Sequence, residues 1–270
     1  MKDRVDIRNR IPFARKVRLL LLAIRENGIV WAICFGAYYL SSQLAESSFR
    51  WMNSLRARRN LPGLNSTRMN FAIWEDWDWS QGGEEWTPSE AWKDAIIRRL
   101  MDRYVSSGAN LLEIGPGAGR WTAHLLERAT HLIGVDISSK CIEVCRERFA
   151  AARNVEFHVN SGSDLAMVPD RSVDVLWSFD VFVHINQVDV EKYVQEFARV
   201  LKPGARGIIH HGTAGSAKGG WRGDLTAADF AAMLGRNGLR VVEQFDSWKD
   251  GEERFEVSPP YGDTVTVFER

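Results

Sequence analysis

The chain has 270 residues, 45% hydrophobic and 26% charged, ordinary proportions for a globular protein with room for one full α/β domain and additional elements. Its formal net charge of zero hides two unequal parts: residues 1–70 hold 13 Lys/Arg against 4 Asp/Glu, and residues 71–270 hold 22 against 31. The acidic body lacks the basic stripe of a nucleic-acid binder, which excludes nucleic acid as a partner, while the basic arm marks a surface or partner contact.

Residues 1–60 read as helical and peripheral. Within them IVWAICFGAYYL (29–40) is an uncharged apolar run, shorter than the roughly 18–20 residues that a spanning helix needs. It follows a long charged stretch and no cleavage site succeeds it, unlike a secretory signal. A buried or interfacial helix is the first expectation. Arg15, Lys16, Arg18 and Arg25 beside LLLLAI add a second, contact with a membrane surface. The Pro/Gly stretch NLPGLNST (60–67) reads as a linker, so the chain is expected to divide into an extension over 1–69 and a domain over 70–270. An aromatic segment follows, with Trp74, Trp77, Trp79 and Trp86. TPSE then predicts a helix with Thr87 as N-cap, Pro88 at the first helical position and Glu90 completing a capping box, running to about Tyr104.

From there strands and helices alternate. LLEIGPGAGRWT (111–122) is a short apolar strand, a three-glycine turn and a helix start. Strands are expected at 131–135, 155–159, 173–178 and 206–211, and helices at 138–151, 188–201 and 226–235, with KPG (202–204) ending the second of these. RVVEQFDSW and DTVTVFER read as two late strands. The order predicts a doubly wound, mostly parallel, seven-stranded sheet with an antiparallel edge, preceded by a helical extension. Cys34, Cys141 and Cys145 form no CxxC pair and read as packing thiols.

The glycine turn separates two cofactor classes. A dinucleotide turn needs glycine at its first, third and sixth positions; here Gly115, Gly117 and Gly119 take the first, third and fifth, and the sixth is Arg120. Glu113 stands two residues before the turn, where its charge would repel a pyrophosphate but suits an amino group or a sulfonium. S-adenosylmethionine carries both and no phosphate.

These residues resemble the class I S-adenosylmethionine-dependent methyltransferases. LLEIGPGAGRWT is similar to the family's first motif and IGVDIS (133–138) to its second. By that resemblance Asp136 holds the ribose hydroxyls, a task suited to a carboxylate facing a vicinal diol. NSGSDL (160–165) resembles the third motif, in which Asp164 meets the adenine amino group and Ser163 lines the loop. VDVLWSFDVFVHI (173–185) and ARVLKPGARGIIHH (198–211) resemble the later motifs. The implied Rossmann-like fold is an enzyme that binds S-adenosylmethionine through Glu113, Gly115, Gly117, Gly119, Asp136, Ser163 and Asp164.

The acceptor site of such a fold lies beyond the carboxyl ends of strands four and five, where Asp180, His184, His210 and His211 fall. His210 and His211 are adjacent on a strand and face opposite ways. The catalytic expectation rests on His184 or His211 as base, with Asp180 beside them. Asp180 and His184 lack a third ligand, so no metal is assigned. The loop GTAGSAKGGWRG (212–223), with Lys218, Trp221 and Arg222, reads as an acceptor gate that favours an acidic or phosphorylated acceptor. The expected function is methylation, most simply O-methylation, of a small molecule or glycan in the cytoplasm, with the extension at the inner face of the membrane. The alternatives are a lipid or quinone methyltransferase and a non-catalytic scaffold.

Overall fold

The structure is a computed structural model that describes residues 13–213, 222–259 and 261–270. Arg15 and Lys16 (as side chains), Lys218 and Trp221 lie outside the described residues. Two compact units meet between Leu61 and Pro62. The expected boundary at 69/70 instead falls inside a helix of the second unit.

The first unit holds α1 (Phe13–Asn27) and the long α2 (Ile29–Arg59), which ends on a left-handed Asn60. Gly28 separates them at φ 84°, a conformation glycine adopts without steric cost. Among the described residues no helix is long and apolar enough to cross a membrane.

The second unit opens with a short 3-10 turn (Gly63–Asn65) and α3 (Thr67–Asp76), whose N-cap Ser66 accepts a hydrogen bond from the Met69 N–H. The sequence reading left these residues as linker and aromatic segment. After a second 3-10 turn (Glu84–Trp86), α4 (Glu90–Ile96) starts with Ser89 as its N-cap, accepting from the Trp92 N–H. Thr87 is therefore not the cap; its hydroxyl instead donates to Glu84 at 2.8 Å. A π-type turn (Ile97–Met101) carries the chain into α5 (Asp102–Tyr104).

The body alternates β1 (Ala109–Ile114), α6 (Thr122–Leu126), β2 (Ala129–Asp136), α7 (Ser139–Arg148), β3 (Val155–Val159), β4 (Val173–Phe182), α8 (Gln187–Val200), β5 (Leu201–His211) and α9 (Ala227–Arg236). It closes with β6 (Arg240–Phe245), the hairpin β7 (Ser247–Asp250) and β8 (Glu253–Glu256), and β9 (Thr264–Glu269). The seven-stranded sheet runs β3-β2-β1-β4-β5-β9-β6. Strands one to five pair in parallel, and β9 runs antiparallel to both neighbours. The antiparallel strand thus sits one place in from the edge. RVVEQFDSW divides between β6 and β7, and KPG lies within β5, which begins directly where α8 ends.

Helices on both faces are held by apolar layers. One layer gathers Leu112, Ile114, Phe182, Phe197, Phe230 and Phe268; the other gathers Trp92, Ile96, Leu111, Trp121, Trp177 and Val267. Leu111 and Leu112 fall into opposite layers, as neighbouring strand residues must. Strand order reverses between β1 and β4, and ligands of doubly wound sheets bind outside such a reversal, at the carboxyl ends of the strands.

Candidate active site

A cavity of about 360 Å³ opens at that reversal, within the size range of small-molecule sites. Its floor is the turn after β1. Gly117, at φ 57°, lines it, and a side chain there would meet the Trp79 ring at 3.0 Å. The indole therefore packs directly on the turn, and both line the cavity. Gly115 lines the cavity as well, whereas Gly119 does not: its missing side chain makes room for Phe149.

Asp136, at the end of β2, lines the cavity and is buried. Its carboxylate accepts N–H groups from Gly117 (3.3 Å) and Ser138 (2.9 Å). Burial lifts its pKa to about 6 against these hydrogen bonds. The Ile137 N–H acts on the same carboxylate; an ionised carboxylate has about four acceptor positions, so these contacts do not exhaust it. Glu113 is buried beneath the turn, outside the lining, where Thr122 donates to it at 2.6 Å. Burial raises its pKa to about 7.

The loop after β3 contributes Gly162 to the cavity. Ser163 and Asp164 are not in the lining. Asp164 folds back on its own loop, accepting from the Ser161 hydroxyl and from the Ser161 N–H at 2.9 Å. Burial raises its pKa, but those bonds prevail and lower it overall. Asn160 spans this loop, donating to the Asp164 carbonyl and to the Tyr193 hydroxyl, and Tyr193 lines the cavity.

The lid comes from the segment before the sheet. Trp74, Trp79 and Trp86 line the cavity, with Asn65, Thr67 and Asn70 beside them. The indoles of Trp74 and Trp79 lie 6.1 Å apart and those of Trp74 and Trp86 5.9 Å apart, contact distances for aromatic pairs. Glu75 fastens α3 to the amino end of α7, accepting from the Ser138 hydroxyl (2.8 Å), the Ser139 hydroxyl (2.6 Å) and the Lys140 N–H (3.3 Å). These bonds also lower its pKa. Glu75→Ala should destabilise the fold by about 1 kcal/mol, as loss of a helix cap does. Calorimetry should show a melting point about 2–4 °C lower, and limited proteolysis should cut residues 67–86 faster.

On the acceptor side, β4 bulges. Ser178 pairs with Ile209 and Phe182 with His211, so extra residues on β4 loop out, and Asp180 among them takes φ 64°. A left-handed non-glycine residue is strained, and a bulge commonly re-aims a side chain at a site. Here it turns Asp180 into the cavity wall. Arg120, the residue after the glycine turn, is 5% exposed and ion-pairs with Asp180. His210 Nδ1 accepts the main-chain N–H of Asp180 at 3.1 Å and lies 3.1 Å from the other Asp180 oxygen. His210 Nε2 lies 3.6 Å from Asp263, which accepts from Arg222 at 2.8 Å. Arg222 packs its guanidinium 3.9 Å from the Tyr261 ring centre, and both line the cavity. Burial opposes ionisation of Asp180, but Arg120 and His210 prevail and hold its pKa well below the usual range. Burial likewise opposes protonation of His210, and the two flanking carboxylates raise its pKa overall.

Neither strand-five histidine lines the cavity; His210 touches its wall through Asp180, and His211, one of the two candidate bases, does not. His211 is fully buried on the far face, bonded to the Gly212 carbonyl and the Thr266 hydroxyl, both at 2.7 Å, and packed on Phe230. Burial lowers its pKa to about 4. Strand alternation sends it under α9, so it cannot reach an acceptor in the cavity. His184 does line the cavity, its ring edge-on to Trp74 at 5.2 Å. Its carbonyl is held by Asn65 (3.2 Å) and Asn70 (2.9 Å). The sequence reading missed Arg120, His210 and Asp263 as a connected group. Only the position of Arg120 directly after the turn could have signalled it. Cys141 and Cys145 are buried, and burial raises both thiols. Among the described residues no group of three or more His, Cys, Asp or Glu side chains is placed to hold a metal.

Fold and cavity together define a Rossmann-like domain with a cavity at the reversal of strand order. Residues 111–204 match the methyltransferase domain family. Among curated proteins, the demethylmenaquinone methyltransferase of Clavibacter sepedonicus is 34% identical over 120 residues, covering 44% of this chain and 46% of that protein. Phosphoethanolamine N-methyltransferase 1 of Triticum aestivum is 31% identical over 105 residues, 38% of this chain and 21% of that protein. The chain thus spans less than half the length of these relatives. A solved SAM-dependent methyltransferase from Aquifex aeolicus aligns at TM-score 0.53 with 19% identity, over 72% of this chain and all of that one. Residues 111–204 thus carry a domain that is similar to methyltransferase domains.

Proposed function

We propose that the protein is an S-adenosylmethionine-dependent methyltransferase acting on a small-molecule acceptor. The observation that carries the reading is that one cavity joins the glycine turn and Asp136 to Asp180 and His184 beneath a tryptophan lid. Cofactor fit is supported by the Asp136 carboxylate, which lines the cavity at the end of β2 and can accept hydroxyl hydrogen bonds from a ribose. S-adenosylmethionine would supply an electrophilic methyl group on a sulfonium. In this reading Gly115, Gly117 and Asp136 seat it, and Trp74, Trp79 and Trp86 exclude water so that methyl and acceptor stay aligned. His184 takes the acceptor's proton. Asp180, held ionised by Arg120 and His210, is a poor base and instead accepts a hydrogen bond that orients the acceptor.

The sequence alone favoured O-methylation of a small molecule or glycan. The aromatic lining favours an acceptor with an apolar or aromatic body, as in the lipid or quinone alternative, and the name of the Clavibacter relative points the same way. The reading places the chain in the cytoplasm with its extension in peripheral contact with the membrane. Incubation with methyl-labelled S-adenosylmethionine and separate pools of quinones, phospholipid precursors and sugar nucleotides tests it. Mass analysis should find one labelled methyl on a compound with an apolar ring. Label on sugars alone would restore the glycan reading. Cofactor binding without transfer to any pool would favour the scaffold.

A further inference from the structure

The first unit exposes more apolar surface than any other part of the described chain. In α1, Leu19, Leu20, Leu21 and Leu22 are all exposed, from 42% to 62%. Four consecutive helical residues sweep about 300° around the axis, so the exposed apolar face is broad, and Arg18 and Arg25, seven residues apart, share a basic stripe. In α2, Ile29, Val30, Trp31 and Ile33 are exposed in the same way, Val30 to 72%. A helix with a broad exposed apolar face and a basic stripe fits a lipid interface, its apolar side in the acyl boundary and its cations at the headgroups. Residues 27–45 carry no charge, and Glu26 and Glu46 bound them. The flanks are basic: Arg18 and Arg25 in α1, and Arg50, Arg56, Arg58 and Arg59 in α2. Trp31, Tyr38 and Trp51 are exposed, residues whose amphipathic rings favour the headgroup boundary.

We propose that α1 and the first half of α2 embed in the near leaflet of an anionic phospholipid bilayer, with the flanking arginines reaching the headgroups. Apolar side chains enter the acyl region, and long cationic side chains snorkel outward to phosphate. The inference deepens the membrane-contact part of the proposed function and does not depend on methyl transfer.

Cys34 provides the test, since it is exposed in the middle of the uncharged stretch while Cys141 and Cys145 are buried. The full chain, labelled at Cys34 with an environment-sensitive dye, should float with phosphatidylglycerol-containing vesicles and brighten. Binding to phosphatidylcholine vesicles should be much weaker. Arg56→Gln, Arg58→Gln and Arg59→Gln should each weaken binding about fivefold, the effect of one cation at an anionic surface. Leu21→Glu with Val30→Glu, both at exposed positions, should weaken it at least about tenfold. No flotation, or flotation with an unchanged dye signal, would overturn the proposal. So would a dimer in sedimentation, abolished by the glutamates, in a chain that ignores vesicles. S-adenosylmethionine binding, measured in parallel by calorimetry, reports separately on the enzyme reading.

Discussion

Asp136→Ala should raise the dissociation constant for S-adenosylmethionine by about a hundredfold or more, measured by calorimetry on the full chain. The magnitude follows from two hydrogen bonds between a vicinal diol and an ionised carboxylate, each worth about 1.5–3 kcal/mol. At 1.4 kcal/mol per tenfold, about 3 kcal/mol is a hundredfold. Alanine also strips the acceptors from the Gly117 and Ser138 N–H groups, which loosens the turn. Asp136→Asn keeps one oxygen at the same place and should lose less. Because burial lifts Asp136 to about 6, its charge is lost as pH falls through that value. Affinity should therefore hold above about pH 7 and fall toward tenfold per unit below pH 6. Glu113→Gln should change affinity much less, since Glu113 is bonded to Thr122 beneath the turn. Unchanged affinity in Asp136→Ala would remove the cofactor assignment.

The parts of this site readable in the sequence are those written in consecutive residues. LLEIGPGAGRWT contains its own strand, turn and helix start, and Asp136 stands at the end of an apolar strand; both carry local signals of geometry. What stayed hidden was made by long-range packing. Alternation says that His210 and His211 face opposite ways, but the side that meets the cavity depends on how β5 registers against the bulge of β4. Arg120 and Asp180 are 60 residues apart, and Asp263 reaches His210 from the start of β9. The anchoring of the aromatic segment was obscured for a different reason. Pro62 and Gly63 look like linker punctuation, yet Asn65 and Asn70 hold the His184 carbonyl, and that tertiary contact ties the segment to the site. The N-cap moved from Thr87 to Ser89 because Glu84 already engages the threonine hydroxyl.

Asp180→Ala should cut methyl transfer by about a hundredfold and destabilise the fold by about 3 kcal/mol. Breaking one partner out of a buried ion pair costs about 3–5 kcal/mol, because the other charge is stranded. The lower end applies because the Asp180 side chain keeps 26% exposure, whereas Arg120 keeps only 5%. Asp180→Asn tolerates the left-handed backbone but removes the charge, so it separates strain from electrostatics. The same chain sets a pH signature. His210 is raised, so its contribution is fully present below its unfolded value of about 6.5 and is lost as pH rises through the folded one. Asp180 and Asp263 are lowered, so theirs is present above about 3.9 and is lost as pH falls through their folded values. The melting temperature should therefore decline on the alkaline side of about pH 6.5, and His210→Gln should flatten that decline. His211→Gln should leave the slope in place, because His211 is already neutral across this range. A slope that follows His211 rather than His210 would refute the arrangement of charges from Arg120 to Arg222.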